Sequence, residues 1–326
     1  MKIAVDAMGG DKGSQAIVSA IKEFLVDNDD VEIIVFGDQE QLKELPSSCR
    51  IVHAPDVVPM EAGALEVIRM KNSSMYKALS TMKEEGLDAV VSTGSTGGFL
   101  SAATLILKLL PGLKRAALVT AFPTIIKGKK VVVLDAGANN ENSPEELVQF
   151  AYMGRAYHQA LFDVDSPKTY LLSNGTEANK GSPAVKKAHE LLINNNFPGF
   201  KGNLEAREVL KGEADILVAD GFSGNILLKG AEGTAKTMSN MIKDIFKKNL
   251  WTKIGYLFVA KGFKNMSETM DYKSTGGAML LGINGVVVKA HGNSDAYAFK
   301  NALRVAKKMV DYQVVSKIKE IGKSGQ

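Results

Sequence analysis

In residues 131–139 the sequence reads Val131-Val132-Val133-Leu134-Asp135-Ala136-Gly137-Ala138-Asn139, four apolar residues that lead directly into a turn of small and polar ones. A strand that is apolar at every position is buried on both faces, as in a parallel sheet covered by helices. In such folds ligands bind beyond the carboxyl ends of the strands. The stretch therefore indicates both a fold class and the edge of the sheet where a site is expected.

Similar apolar runs alternate with amphipathic stretches through the first 220 residues, which predicts an α/β fold with a mostly parallel sheet and helices on both faces. The candidate strands are 2–6, 31–36, 50–54, 88–92, 116–121, 130–135, 168–172 and 215–219. The candidate helices are 13–26, 73–85, 97–110, 144–161 and 183–193.

The C-terminal third has a different pattern. Residues 222–249 have the apolar spacing of one long helix, an aromatic-rich stretch follows at 250–259, and a final helix is expected at 294–320. No repeat or Pro/Gly linker divides the chain. We therefore predict a single domain over 1–326, with an α/β core at 1–235 and 276–315 and an amphipathic helical insertion at about 236–275.

The net charge of +4 is too small to indicate a nucleic-acid partner. Residues 243–273 and 300–326 carry the excess Lys and Arg, whereas the rest of the chain is net acidic. An acidic partner or a membrane surface is expected at these basic segments, although a solvated helix face has the same composition. The single cysteine and the absence of a signal-peptide pattern predict a cytoplasmic location.

Four Gly-rich turns follow candidate strands, and their free N–H groups and hydroxyls suit an anion the size of phosphate. They are 6–11, 92–98, 135–139 and 220–225. The chain lacks the P-loop, the dinucleotide-binding G-x-G-x-x-G, the G-x-S-x-G of serine hydrolases and any Cys/His cluster with zinc spacing. No metal site is predicted.

Three further residues are weighed as site residues. His291 lies in a strand-to-helix turn beside Gly292, where a histidine either serves the site or caps the final helix. Lys180 lies in a polar loop, where a surface lysine is the alternative. Cys49 lies in a polar loop just before a strand, and a nucleophilic role is not expected for it.

In order along the chain, several segments resemble motifs of the bacterial phosphate acyltransferases of phospholipid synthesis. The resemblance runs from about residue 2 to 315, and its most specific stretch is Gly276-Gly277-Ala278-Met279-Leu280-Leu281-Gly282-Ile283-Asn284-Gly285. The other matching segments are 6–11, 92–99, 135–139, 175–181, 220–225 and 272–294.

The resemblance implies a homodimer with a three-layer α/β fold like that of isopropylmalate dehydrogenases and phosphotransacetylases, and with a helical C-terminal extension. It implies transfer of a long-chain acyl group from acyl carrier protein to inorganic phosphate, without a cofactor. The acyl phosphate would then supply a membrane glycerol-3-phosphate acyltransferase.

Site residues follow from the resemblance and the turns together. Lys180 would neutralise phosphate or the developing oxyanion, Asn225 would orient the carbonyl or the phosphate, and His291 would assist proton transfer. Phosphate is already an anionic nucleophile, so we expect direct attack on the thioester. The predicted substrate- and phosphate-binding residues are Asp6, Gly9, Gly10, Ser95, Thr96, Gly97, Asn139, Asp220 and Ser223.

The segment 250–259 is either part of a dimer core or an amphipathic surface for lipid or carrier protein. For the second case the predicted contact residues are Lys247, Lys248, Trp251, Lys253, Ile254, Leu257 and Phe258. Three rival functions stay open at this point. They are a phosphotransacetylase that uses coenzyme A, a non-catalytic scaffold that docks carrier protein, and a nicotinamide-dependent dehydrogenase of similar fold. The dehydrogenase would need arginines that bind a substrate carboxylate, whereas Arg69, Arg115 and Arg155 are scattered along the chain.

Overall fold

One sheet of eleven strands forms the centre of the molecule in a computed structural model of the chain, which describes residues 1–269 and 276–324. The strand order is β3-β2-β1-β4-β11-β10-β5-β6-β9-β7-β8. The strands are β1 (Lys2–Asp6), β2 (Glu32–Gly37), β3 (Arg50–His53), β4 (Ala89–Ser92), β5 (Ala117–Pro123), β6 (Lys130–Leu134), β7 (Thr169–Ser173), β8 (Phe200–Glu205), β9 (Ile216–Val218), β10 (Ala278–Leu281) and β11 (Val286–Lys289).

Strand direction reverses in the middle of this sheet. Seven of the ten neighbouring pairs are parallel, but β10 is antiparallel to both β11 and β5, and β5 is antiparallel to β6. The group β3-β2-β1-β4-β11 therefore runs opposite to the group β6-β9-β7-β8. The carboxyl ends of the two groups consequently lie at opposite edges of the sheet, with β10 and β5 between them.

Helices cover both faces, because alternate residues of the strands enter different cores. Ile3 and Val5 pack in a core with α1, α6 and α10, whereas Ala4 packs on the other face with α4 and α5. The helices are α1 (Gly13–Leu25), α2 (Gln39–Leu42), α3 (Ala64–Arg69), α4 (Ser74–Glu85), α5 (Thr96–Leu107), α6 (Pro144–Phe162), α7 (Pro183–Asn194), α8 (Gly221–Lys247), α9 (Leu250–Thr269), α10 (Ala296–Asp311) and α11 (Val314–Ser324), with a 3₁₀ helix at Ala206–Lys211.

The eight predicted strands and the five predicted helices of the first 220 residues are present, and the mostly parallel three-layer fold is confirmed. The prediction of a single final helix over 294–320 is wrong. α10 ends at Asp311, and the chain turns through Gln313, whose φ of 52° is left-handed, before α11 begins. A residue in this conformation ends a helix, so the amphipathic pattern spans two helices.

α8 and α9 form a helical hairpin, and α8 passes the predicted core boundary at residue 235 without interruption. The ring of Phe246 packs against Tyr256 and Phe263, with ring centroids 5.2 and 5.1 Å apart. The insertion predicted at 236–275 stays a prediction, and its residues 270–275 lie outside the described part of the chain. No helix in the described part of the chain is long and apolar enough to cross a membrane.

His158 on α6 links stability to pH. Its side chain is 3% exposed, Nδ1 has no hydrogen-bond partner in the described chain, and burial lowers its pKa from 6.5 to about 4. Between these two values the unfolded chain binds a proton that the folded chain excludes. Stability from this group is therefore complete above pH 6.5 and is lost as pH falls through 4.

We expect the wild type to lose about 3 kcal/mol of unfolding free energy relative to His158→Met between pH 7 and pH 4. The measurement is urea unfolding of both proteins at several pH values. The difference between wild type and Leu147→Met, a substitution of a buried residue on the same helix, should stay constant with pH. A constant difference for His158→Met as well would contradict the prediction.

Candidate active site

The carboxyl ends of three neighbouring strands meet at one edge of the sheet. β1 ends at Asp6, β4 at Ser92 and β11 at Lys289, and the strand register pairs both Asp6 and Lys289 with Ser92. Parallel pairing places these three side chains side by side, although they lie far apart in sequence. Three loops leave the sheet here, at 7–12, 93–95 and 290–295.

Asp6, the buried last residue of β1, supports these loops from inside the protein. Its carboxylate is 1% exposed and accepts hydrogen bonds from the hydroxyls of Ser74 and Ser92, both at 2.6 Å, and from the Met8 amide at 3.3 Å. Burial raises the pKa of Asp6, while the two hydroxyls and the charge of Lys289 act against this shift. Because protein donors occupy both oxygens, Asp6 positions the loops and does not line the cavity described below.

The predicted residues Gly9 and Gly10 allow the first two loops to touch. A Cβ on Gly9 would lie 2.9 Å from the Gly94 nitrogen and closer still to its Cα, and a Cβ on Gly10 would lie 2.7 Å from Thr93 Oγ1. Both contacts are shorter than a side chain tolerates. The Asp11 amide then donates to the Gly292 carbonyl at 2.8 Å, which joins the third loop to the first.

α5 begins at this junction and directs its N-terminus towards the cavity. The buried Ser95 hydroxyl accepts from the Gly98 amide at 3.2 Å and donates to the Ala62 carbonyl at 3.1 Å, so this predicted binding residue serves as the N-cap. The amides of Thr96 and Gly97, in the first turn, have no acceptor within the described residues. Free amides and the helix dipole favour an anion at this position.

Lys289 is the residue that sequence reasoning missed. Its side chain is 6% exposed, and Nζ donates to the Thr93 carbonyl at 3.2 Å and to the Ala290 carbonyl. Burial lowers its pKa to about 8, against the charges of Asp6 and Asp11. The sequence contained one signal for this residue, a lysine directly after the apolar Val286-Val287-Val288. When a strand is buried on both faces, the residue at its end is buried as well.

His291 follows in the same turn and is exposed to the cavity. Its Nδ1 accepts from the Asn293 amide at 3.3 Å, so the proton of the neutral ring lies on Nε2. The helix that follows, α10, is capped by Asp295, whose carboxylate accepts from the Ala298 amide. The alternative in which His291 caps that helix is therefore wrong.

A second loop cluster forms at the carboxyl end of β6. Asp135 is buried, and its oxygens accept from the amides of Leu118, Gly137 and Ala138 and from both nitrogens of Asn139, at 2.7–3.0 Å. Burial raises the pKa of Asp135, and these hydrogen bonds oppose the shift. The Asn139 amide also donates to the Ala116 carbonyl, so this predicted binding residue stabilises its own loop.

α8 packs its first turn on this loop. Asp220 caps the helix by accepting from the Ser223 amide at 2.8 Å and from the Ser223 hydroxyl at 2.9 Å, which pairs these two predicted residues with each other. Asn225 lies over Gly137, where an added Cβ would lie 3.0 Å from the Asn225 Cγ. The half-buried Asn225 side chain faces the cavity.

One cavity of about 560 Å³ connects the two clusters across the face of β5, beneath α8. Four of the predicted site residues line it, namely Thr96, Gly97, Asn225 and His291, together with Lys289. Its remaining wall is largely apolar, with Leu118, Phe122, Leu210 and Leu228 among its members. Lys180 does not belong to this lining, and it is exposed in the loop after β7.

Several known proteins are similar to this chain over nearly its whole length. A family model described as "Fatty acid synthesis protein" matches residues 1–317. A phosphate acyltransferase of Thermodesulfovibrio yellowstonii is 41% identical over 327 residues, covering 98% of this chain and 94% of the relative. A phosphate acyltransferase of Staphylococcus aureus is 39% identical over 328 residues, covering 100% of both. The chain belongs to the phosphate acyltransferase family.

Membership in the phosphate acyltransferase family confirms the resemblance and the prediction of an acyltransferase enzyme, and it supports acyl transfer to phosphate in fatty acid and lipid synthesis. Among solved structures, a phosphotransacetylase from Streptococcus pyogenes aligns over 97% of this chain and 94% of its own, with a TM-score of 0.61 at 19% identity. This similarity confirms the phosphotransacetylase-like fold predicted from the sequence.

The close approach of the first two loops predicts a specific cost at Gly9. We expect Gly9→Ala to lower the unfolding free energy by about 1–3 kcal/mol, because its Cβ would overlap backbone atoms that cannot move aside as a flexible side chain would. Gly230→Ala is the control. It lies in α8 with open space around its Cβ position, and we expect about 0.5–1 kcal/mol of stabilisation. Equal effects of both substitutions in thermal unfolding would refute the packing argument.

Proposed function

We propose that this phosphate acyltransferase transfers a long-chain acyl group from acyl carrier protein to inorganic phosphate, and that the acyl phosphate enters phospholipid synthesis. A phosphate oxygen attacks the thioester carbonyl carbon, the carbon–sulfur bond breaks, and the carrier thiol leaves. Family membership supports phosphate as the acceptor. Acyl carrier protein as the donor and the role in phospholipid synthesis go beyond what family membership supports and are proposed here.

The cavity supports this function because it combines two chemically different regions. The unpaired amides of Thr96 and Gly97 suit the phosphate, and the apolar side chains along β5 suit an acyl chain or the arm that carries it. From Leu118 to Pro123 this wall follows β5 for five residue steps, roughly 17 Å. An exclusively polar ligand would leave most of this wall without a partner.

Direct attack by phosphate fits the residues near the cavity better than an acyl-enzyme. Cys49, the only cysteine in the chain, lies outside the lining, and burial raises the pKa of its thiol. A thiolate is a good leaving group, so the reaction needs positioning and charge stabilisation more than a strong base. In the proposal Asn225 orients the thioester carbonyl or the phosphate, and the Nε2 of His291 assists proton transfer.

In the proposal Lys180 can reach the phosphate only if its loop changes position or if a second copy supplies it. Its loop is held by the Asn174 side chain, which accepts from the Gly181 amide at 2.9 Å, and by Asn203, which donates to the Glu177 carbonyl at 2.8 Å. These contacts keep the lysine on the surface. Neutralisation of phosphate by Lys180 would therefore require a rearrangement or a second copy of the chain.

The homodimer and the surface of α9 complete the proposal. Phe222 and Ile226 on α8 are more than half exposed and are available to a second copy. On α9 the apolar residues Leu250, Trp251, Ile254, Leu257 and Phe258 follow helical spacing and form one exposed stripe, with Lys247, Lys248 and Lys253 beside it. Such a surface suits anionic lipid, the acidic carrier protein, or contact with a membrane glycerol-3-phosphate acyltransferase.

The decisive test of the reaction is release of free thiol from palmitoyl-acyl carrier protein with and without inorganic phosphate. We expect release to depend on phosphate and no acyl group to remain on the protein, because phosphate is the nucleophile. A parallel assay uses palmitoyl-coenzyme A. Release from coenzyme A alone would favour the phosphotransacetylase alternative, and release from neither donor would favour the scaffold. A trapped acyl-enzyme would exclude direct attack.

The α9 stripe predicts binding to anionic vesicles. We expect Leu257→Glu combined with Phe258→Glu to abolish co-sedimentation with phosphatidylglycerol vesicles, because both side chains are more than 70% exposed and would carry charge into the lipid interface. The matched control is Val26→Glu with Ile193→Glu, which adds the same charge at exposed apolar positions, one at the C-cap of α1 and one on α7. An unchanged pellet for the α9 variant would instead assign the stripe to a protein partner.

A further inference from the structure

Lys289 is a buried cation that neutral groups hold in place. Its ammonium has three protons, and the two acceptors it contacts are the carbonyls of Thr93 and Ala290. No carboxylate lies within ion-pair distance of Nζ in the described part of the chain. A buried charge is normally paired, because burial alone disfavours the ionised form. The lowered pKa of Lys289, about 8, has burial as its main cause.

The titratable groups around Lys289 come from four elements. Asp6 ends β1 and Asp11 lies in the loop after it, His291 belongs to the turn after β11, and Lys229 and Glu232 line the cavity from α8, where Lys229 is exposed to solvent. Both aspartates favour the ammonium form of Lys289. The oxygens of Asp6, however, already accept hydrogen bonds from the hydroxyls of two serines. The positive charge of Lys289 is thus only partly compensated at the cavity wall.

A second unsatisfied group lies at the same place. The Thr93 hydroxyl is buried and has no hydrogen-bond partner among the residues that the structure describes, and the Thr93 carbonyl accepts from Nζ. The unpaired amides of Thr96 and Gly97 follow within the same turn. The Thr93 hydroxyl faces Gly10 and does not line the cavity, whereas Lys289 and the N-terminus of α5 both do. A buried ammonium and a helix N-terminus at one cavity wall form a site for a small multivalent anion.

We propose that Lys289 binds the inorganic phosphate directly, with the amides of Thr96 and Gly97, and is the main source of positive charge for this substrate. The inference deepens the proposed function and rests on it. It assigns to a buried lysine on the central sheet the neutralising role that the sequence suggested for Lys180. Because Lys289 is buried, its charge is screened less by solvent and attracts the phosphate more strongly than an exposed lysine does.

The proposal has a direct consequence for pH dependence. A bound dianion favours the ammonium form, so binding loses strength where free Lys289 is neutral. As pH rises through about 8, the apparent phosphate KM should therefore increase, approaching about tenfold per pH unit. Sulfate, which stays a dianion across this range, should show the same rise in its inhibition constant, which separates the titration of Lys289 from that of phosphate.

The test compares Lys289→Met and Lys289→Arg with the wild type. Lys289→Met should raise the phosphate KM at pH 7 by at least about 30-fold, because it removes one partner of a buried charge pair. The KM for acyl-carrier protein should change by less than about twofold. Lys289→Arg stays charged, so it should recover part of the phosphate affinity and lack the alkaline rise. Lys186→Met, at an exposed position on α7, is the matched control.

Phosphate binding is measured independently by ³¹P line broadening and by the rise in Tm that phosphate causes. Lys289→Met should fold with an unchanged or higher Tm without phosphate, because replacing a buried unpaired charge by an apolar isostere is often neutral or stabilising. An unchanged phosphate KM with a lowered Tm would overturn the inference and make Lys289 structural.

A different outcome would separate this inference from the proposed reaction. If the wild type binds phosphate, Lys289→Met does not, and neither releases thiol, then the anion site stands and the proposed reaction fails. If the wild type binds neither phosphate nor sulfate, the inference itself fails.

Discussion

The reversal of strand direction at β10 and β5 is the constraint on which the site depends. In an all-parallel sheet the loops after β4 and β6 would lie at one edge, and a ligand would be held only there. Here the two loop sets lie at opposite edges, and β5 crosses between them. The cavity therefore extends along the sheet, with a polar end at α5 and an apolar path beneath α8.

The loops at the two ends of the cavity are supported in the same way. A buried aspartate at the end of a strand, Asp6 or Asp135, accepts hydrogen bonds from the groups around it and fixes the backbone that faces the ligand. Glycines then allow a neighbouring segment to approach this backbone, as Gly9 does at Gly94. The aspartates act as supports, and the groups that reach the cavity are amides, Asn225, Lys289 and His291.

Much of the fold was predictable because the central strands are apolar at every position. β8 was missed since Phe200–Glu205 is a polar edge strand, and β10 and β11 were hidden in a Gly/Ala-rich stretch. In the site, the turns were located correctly, but residue roles were harder to assign. Ser95 and Asp220 have the sequence signature of helix N-caps and cap α5 and α8, and Ser223 is the residue that donates to Asp220. Lys289 could not be weighed without its burial, which depends on strands distant in sequence.

The continuity of the sheet has a mechanical consequence. β5 pairs with β10 through residues 117–119 and with β6 through residues 120–123, so the strand that forms one wall of the cavity also joins the two halves of the sheet. α8 forms the opposite wall, and it continues into the hairpin with α9. A displacement of the exposed end of that hairpin would therefore be transmitted along α8 to the helix wall that covers the cavity.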